Sequence, residues 1–300
     1  RDQPRSRGLG DVYKRQLYNK ADYIAETLKS VLNQTYCDYE VIVVNDSSTD
    51  NSLEVASSFQ DERIHIYTKE NEGVSAARNY GIMHAKYDYI AFLDADDIWE
   101  SDYLECQKKL IGTYPDAGIY STAFYSLEKG KRKLRNVLIN EHIHFLVHDY
   151  FKESVMNGLS ICWTSSLCLK KEVIKEIPMF RVGIKRGEDL DLWLRIALNY
   201  DVAYLNLPKV FYRTGLSDSL TSDYSKNGEF PYYEWFNFTS ESSYYRKYVI
   251  LVVYIHAKNA FIHHDYDTCL AELWSVKTIA WRFKWAERLL LLVISWIKSK

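Results

Sequence analysis

Two apolar runs, Tyr39 to Val44 and Tyr89 to Leu93, each break off abruptly into acidic and amide residues, and together they fix the fold class open to this chain. Helical patterns surround them: Ile24, Leu28, Val31 and Leu32 share one face before the first run, and Val74 to Ala85 reads as a helix before the second. A continuously apolar strand must be covered on both faces, and strands alternating with helices of this length build a mostly parallel sheet between helical layers. The expected class is therefore α/β, a Rossmann-like, mostly parallel sheet flanked by helices. Such sheets bind ligands beyond the carboxyl ends of their strands. Asp46 follows the first run and Asp94, Asp96 and Asp97 follow the second, so the carboxylates fall where a site belongs.

The same reading extends along the chain. Ser47 to Asn51 is a polar turn opening a helix through Phe59, Ile64 to Tyr67 a short strand, Tyr103 to Gly112 a helix and Ile119 to Phe124 a strand. The charged stretch Ser126 to Val137 reads as a loop or exposed hairpin. Ser165 to Leu169 is a strand and Lys171 to Ile177 a short helix, and Leu190, Trp193, Leu194, Ala197 and Leu198 form a helical stripe. After about Tyr224 strand patterns cease, and Tyr245 to His263, Tyr266 to Phe283 and Lys284 to Lys300 read as three helices. Residues 1 to 16 carry Arg5, Arg7, Lys14 and Arg15 without apolar periodicity or a signal-like apolar core, and are expected to lie outside the fold. The expected division is a linker-like leader over 1–16, an α/β domain over 17–223 and a helical region over 224–300.

Charge and cysteine content narrow the function. The 38 basic and 40 acidic residues are mixed along all 300 positions, leaving no basic face for a nucleic-acid backbone. Five cysteines without a C-x-x-C pair read as reduced core thiols, which points to the cytoplasm. The sequons at Asn33, Asn45 and Asn237 then read as chance matches. No G-x-G-x-x-G, P-loop or G-x-S-x-G occurs, which argues against dinucleotide oxidoreductases, P-loop kinases and α/β-hydrolases.

Converging carboxylates on one loop repel unless a cation lies between them, and hard oxygen ligands suit Mg²⁺ or Mn²⁺ with positions open to phosphate. The plain alternative for Asp94-Ala95-Asp96-Asp97 is a capped surface turn; its place at a strand end favours the metal. Asp46 sits too early to cap the next helix and is open to a nucleobase N–H. Asn71, Gly73 and Arg78 surround a helix start, where anions are favoured, and Arg78 at this edge suits a diphosphate. Glu188 and Asp189 open the stripe helix, as dipole compensation alone would have it. Arg195 lies four residues after Asp191 and is expected to pair with it, leaving Asp189 open. His142, His144 and His148 lie in a polar stretch without a cysteine or carboxylate trio and read as a solvated or partly buried set.

Leu17-Tyr18-Asn19, Val43-Val44-Asn45-Asp46-Ser47-Ser48-Thr49-Asp50, Asn71 to Asn79, Phe92-Leu93-Asp94-Ala95-Asp96-Asp97 and Gly187-Glu188-Asp189 together resemble the motifs of family two glycosyltransferases of the GT-A fold, in the family's order. The resemblance runs from about Leu17 to Arg213. It implies an inverting transferase that moves a sugar from a nucleotide diphosphate, a UDP-sugar first among candidates, to a hydroxyl of a surface polysaccharide or lipid-linked glycan. It implies a nucleotide-sugar site of Tyr18, Asn19, Asp46, Asn71, Gly73, Arg78, Asp94 and Ala95, a divalent cation (Mg²⁺ or Mn²⁺) on Asp96 and a base at Asp189. Two departures stand out. The family opens with a central strand where this chain has its leader, so that strand is expected to be missing or replaced. The family also often carries Asp-Gly-Ser where this chain has Asp46-Ser47-Ser48. A non-catalytic nucleotide-sugar binder, which would not need Asp189, and a sugar nucleotidyltransferase are the competing classes.

The end of the chain adds a partner. Trp281, Trp285 and Trp296 with flanking Arg and Lys surround Leu289 to Ile294, a run too short to span a bilayer, which takes about 20 residues. Residues 281–300 suit either a packed terminal helix or one lying on an anionic inner membrane face, and the cationic, aromatic mixture favours the second.

Overall fold

Strand β2 (Glu40–Asp46) is buried at every position and β4 (Tyr89–Leu93) at all but its first, so neither face of either strand meets water. The computed structural model that shows this describes residues 11–158, 160–184, 186–216 and 240–272, with the side chains of 11–16 left aside. Helices cover both faces. Helix α1 (Ala21–Leu32) buries Ile24, Thr27, Leu28 and Val31, and α3 (Val74–His84) buries Val74, Ala77, Arg78, Gly81 and Ile82, the stripe that a 3.6-residue period makes. Helix α2 (Ser52–Ser57) joins β2 to β3 (Ile64–Lys69).

The sheet runs β3-β2-β1-β4-β9-β6-β10-β5, with β7 paired to β6 and β8 to β10. Its first four strands are parallel, as the alternating pattern requires. Beyond them β9 (Leu167–Lys170) lies antiparallel between β4 and β6 (Ile119–Glu128), while β10 (Val202–Arg213) runs parallel to β6, so the second half is mixed. The short β5 (Ile98–Trp99) and β8 (His144–Val147) pair antiparallel with β10, and β7 (Lys131–Arg135) closes a hairpin on β6. Helices α4 (Tyr103–Thr113), α5 (Tyr150–Asn157), α6 (Val173–Glu176) and α7 (Glu188–Ala197) complete the layers.

One expectation is overturned. The stretch read as a leader enters the sheet and fills the central place: β1 (Asp11–Leu17) lies parallel between β2 and β4, with Asp11 opposite Glu40 on one side and Ile90 on the other. The fold therefore begins at or before Asp11, not at residue 17. A strand between two parallel neighbours is held by backbone N–H and C=O groups that must be paired, and this demand leaves no trace in side-chain periodicity.

Helix α8 (Tyr245–Ile262) opens the expected helical region and joins the main core: Tyr248, Val249, Val252 and Val253 are buried in the cluster that holds Tyr150, Phe151 and Trp193. The Tyr245 ring meets Phe151 edge-on at 4.8 Å. The boundary expected near residue 224 and the segment 281–300 lie outside the described residues. Among those described, no helix is long and apolar enough to cross a membrane.

Candidate functional site

The four parallel strands end at one edge. After β1 comes Tyr18, 39 % exposed, and then Asn19 at φ 51°, a left-handed conformation that asparagine tolerates better than most residues. Asn19 Oδ1 accepts from Thr49 N–H at 2.8 Å and from Thr49 Oγ at 3.2 Å, which ties the turn after β1 to the loop after β2. Ser47 also sits at positive φ, 55°, at the position where glycine would be free of strain, and its hydroxyl donates to the Lys69 carbonyl at 2.8 Å.

Asp46 departs from expectation. It is fully buried and accepts from Gly73 N–H at 3.0 Å, Glu72 N–H at 3.2 Å and the Lys69 ammonium at 3.1 Å. Its carboxylate shapes the loop that leads into α3 instead of lying open to a base. Gly73, at φ 88°, turns the chain there, and no side chain caps the helix it precedes. Asn71 is exposed on the same loop.

Arg78 departs too. It belongs to the buried stripe of α3 and is 0 % exposed, because its position in the helical repeat turns it inward. The guanidinium pairs with Glu188 at 2.8 Å and lies 4.8 Å from the Phe180 ring centre, while Nε and Nη2 have no hydrogen-bond partner among the described residues. Charge expected at the open edge is therefore committed to the first turn of α7.

The loop after β4 gathers Asp94, Asp96 and Asp97, with one carboxylate oxygen of each within 4.8 Å of the others. Ala95 is buried, and its carbonyl accepts from Thr27 Oγ at 3.0 Å, which pins the loop to α1. Asp97 is fully buried; it accepts from Ser165 Oγ and from Arg213 N–H at 3.0 Å. Burial first, then the charges of Asp96 and Asp94, hold its carboxyl well above the usual range, against the pull of those two hydrogen bonds. Asp96 is the more open member and pairs with Lys20 at 3.1 Å. The donor set fits a hard divalent cation: three carboxylate oxygens crowded in one loop.

Glu188 and Asp191 are buried at the start of α7, and Asp189 is half-buried between them. Asp191 pairs with Arg195 at 2.9 Å, as expected, and also with Arg181 at 3.5 Å. Asp189 accepts from Thr164 Oγ at 2.9 Å and from Leu190 N–H at 2.7 Å.

Thr164 and Ser165, in a single 3-10 turn (Thr164–Ser166), make the connection that sequence reasoning missed. Thr164 holds Asp189, while Ser165 accepts from Asp94 N–H at 3.0 Å and donates to Asp97. Consecutive hydroxyls thus bring the two acidic segments to one place. Their only signal in the sequence is a run of small hydroxyl residues after Trp163. Lys20 and Arg213 were also missed; the Arg213 guanidinium donates to the Asp96 carbonyl at 2.6 Å. Trp163 stands beside this turn, stacked on Phe124 at 5.5 Å and edge-on to Tyr212 at 4.9 Å.

The histidines do not converge. His148 pairs with Asp201 at 2.7 Å, His144 meets the Tyr114 hydroxyl at 3.1 Å, and His142 is exposed. Cys162, Cys168 and Cys269 are buried free thiols, whereas Cys37 is exposed and does not belong to the core.

The profile of Glycosyl transferase family 2 matches residues 17–177. TuaG of Bacillus subtilis, named for teichuronic acid biosynthesis, is 32% identical over 190 residues, 62% of this chain and 71% of its own length. The glycosyltransferase GlyA of Streptococcus pneumoniae is 31% identical over 207 residues, which cover 66% of this chain but 29% of GlyA. Among solved structures, S. aureus TarS 1-349 in complex with UDP-GlcNAc superposes with a TM-score of 0.71 at 18% identity, over 88% of this chain and 79% of that one. That likeness is one of fold.

Proposed function

The chain belongs to glycosyltransferase family 2, and from that premise we propose that it transfers a hexose from a nucleotide-diphosphate sugar, a UDP-sugar first, to a hydroxyl of a cell-surface or lipid-linked glycan with inversion. The observation that carries this reading is the joining of the Asp94–Asp97 loop to Asp189 through Thr164 and Ser165.

Asp96, with Asp94 beside it, would hold a Mg²⁺ or Mn²⁺ ion, whose chemistry is to neutralise charge building on the departing diphosphate. The remaining work belongs to the chain itself. Tyr18, Asn19, Asn71 and Gly73 line the strand edge as the nucleotide-sugar site, and Asp46 fixes the loop that carries two of them. Arg78 supports that site from within, through Glu188. Asp189, oriented by Thr164, takes the proton of the acceptor hydroxyl as the new bond forms on the face opposite the leaving group.

A binding module without turnover has no use for Asp189. A nucleotidyltransferase would need a glycine-rich loop after its first strand, and β1 is followed by Tyr18-Asn19-Lys20. The acceptor, the cytoplasmic membrane-face location and a division near residue 224 are part of this reading. The decisive experiment is a panel of nucleotide sugars scored for hydrolysis with Mg²⁺, with Mn²⁺ and with excess chelator. Cation-dependent release of one nucleoside diphosphate is the expected result; binding without release under every condition would refute the enzyme.

A further inference from the structure

The hairpin of β6 and β7 turns through Lys129 and Gly130, both at positive φ (47° and 76°), the backbone that a tight two-residue hairpin requires. It is therefore a built projection from the sheet. Every residue of β7 is exposed. Cross-strand pairing sorts its charges by face: Lys131 lies opposite Glu128, Lys133 opposite Ser126 and Arg135 opposite Phe124. Directly paired residues share a face, and the Arg135 Nε–H confirms it by donating to Ser126 Oγ at 3.0 Å. Arg132 falls on the other face, where it lies 4.6 Å from the Phe211 ring centre.

The face of Lys131, Lys133 and Arg135 is the face of Phe124, the ring on which Trp163 stacks. Trp163 immediately precedes Thr164, which holds Asp189. From the reaction side outward, the half-buried Trp163, seated on the buried Phe124 ring, is followed on the same face by three cations, alternate residues of a strand about 6.7 Å apart. No ion pair joins these three to a carboxylate among the described residues, and Glu128 is the one acid on β6 facing them. Aromatic faces suit sugar rings, and unpaired cations in a row suit repeated negative charge.

We infer that this face is the acceptor track and that the acceptor is a polyanionic glycan, bearing phosphate or carboxylate on successive units. The inference rests on the reading of Asp189 as the base. An anionic bilayer is the competing occupant, since Leu134 and Ile139 on and beyond β7 are exposed.

The test uses the full chain and labelled oligomers of poly(glycerol phosphate), oligogalacturonate and neutral dextran, followed by fluorescence anisotropy at low and high salt. At least one anionic oligomer binds and dextran does not; the phosphate and carboxylate arms identify the anion. Replacing Lys131, Lys133 and Arg135 together by Gln weakens that binding about tenfold or more, as loss of three charge contacts should. Arg132→Gln, a charge of equal sign on the opposite face, has little effect, and Trp163→Leu weakens binding as well. Equal binding by the triple variant, an equal loss in Arg132→Gln, or no loss in Trp163→Leu overturns the track. So does capture by phosphatidylglycerol vesicles with no oligomer bound. UDP titration of the same proteins keeps the two readings apart: wild type that binds no UDP sinks the donor assignment, while the triple variant should bind UDP as wild type does.

Discussion

Two acidic segments, Asp94–Asp97 after β4 and Glu188–Asp191 at the start of α7, each place three carboxylates within four residues, and each meets a different electrostatic setting. In the second, the counter-charges are built in: Arg78 pairs with Glu188, and Arg195 and Arg181 with Asp191, all at or within 3.5 Å. In the first, three carboxylate oxygens lie within 4.8 Å of one another, and among the described residues Lys20 pairs with Asp96 while the Arg213 guanidinium reaches the Asp96 carbonyl. The difference teaches how one pattern of residues serves two ends. On the proposed function, the cluster paired with its own arginines is scaffold that leaves Asp189 for chemistry, and the cluster of crowded carboxylates is the place for a cation from solution.

The largest effect that would test this contrast is on catalysis. Asp96→Asn should abolish activation by Mg²⁺ or Mn²⁺ together with most transfer, read as rates with metal and with chelator, because an amide is a poorer ligand at a site that cancels charge. Metal-activated turnover at the wild-type level would break the contrast at its centre.

Asp189→Asn should cost turnover about two orders of magnitude, the usual scale for a general base. Nucleotide-sugar affinity and the response to metal should stay close to wild type, so calorimetry beside steady-state rates decides the matter. Lost affinity with turnover preserved at saturation would remove Asp189 from the chemistry.

Stability offers a third comparison, in which one type of substitution has unlike effects in the two clusters. Glu188→Gln leaves the fully buried Arg78 without its counter-charge and should cost about 3–5 kcal/mol in denaturant unfolding. Asp97→Asn in chelator relieves repulsion and should leave stability unchanged or raise it. Equal destabilisation by both would mean that the two clusters do not differ in kind.

The smallest effect concerns pH. Because Asp97 titrates above its unfolded value, its favourable contribution is complete below the ordinary carboxylate pKa and is lost as pH rises through the raised one. In chelator the melting temperature should decline across that window, by about a few degrees. Added Mg²⁺ at neutral pH should restore it, and Asp97→Asn should flatten the decline. A flat wild-type profile would show that the cluster is already compensated within the protein.

Much of this was legible in residues 17–213. The apolar runs became β2 and β4, the stripes became α1, α3 and α7, and the charged stretch after Ser126 became a hairpin. Asp191 found Arg195 at the expected spacing of four. Sequence patterns failed where the deciding partner was remote: β1 was hidden because backbone pairing fixes it, and the long β10 and the short β5 and β8 are strands only by virtue of neighbours.

The sequence by itself determined the α/β class, the strand-end carboxylates and their order along the chain, because periodicity and chain direction are local properties. Which carboxylates remain available for chemistry was decided by tertiary structure alone. Arg78 and Glu188 are 110 residues apart, Ser165 and Asp97 are 68, and Thr164 and Asp189 are 25. A charge is spent or kept according to what the fold carries to within about 3 Å of it, and that distance is not a function of spacing along the chain.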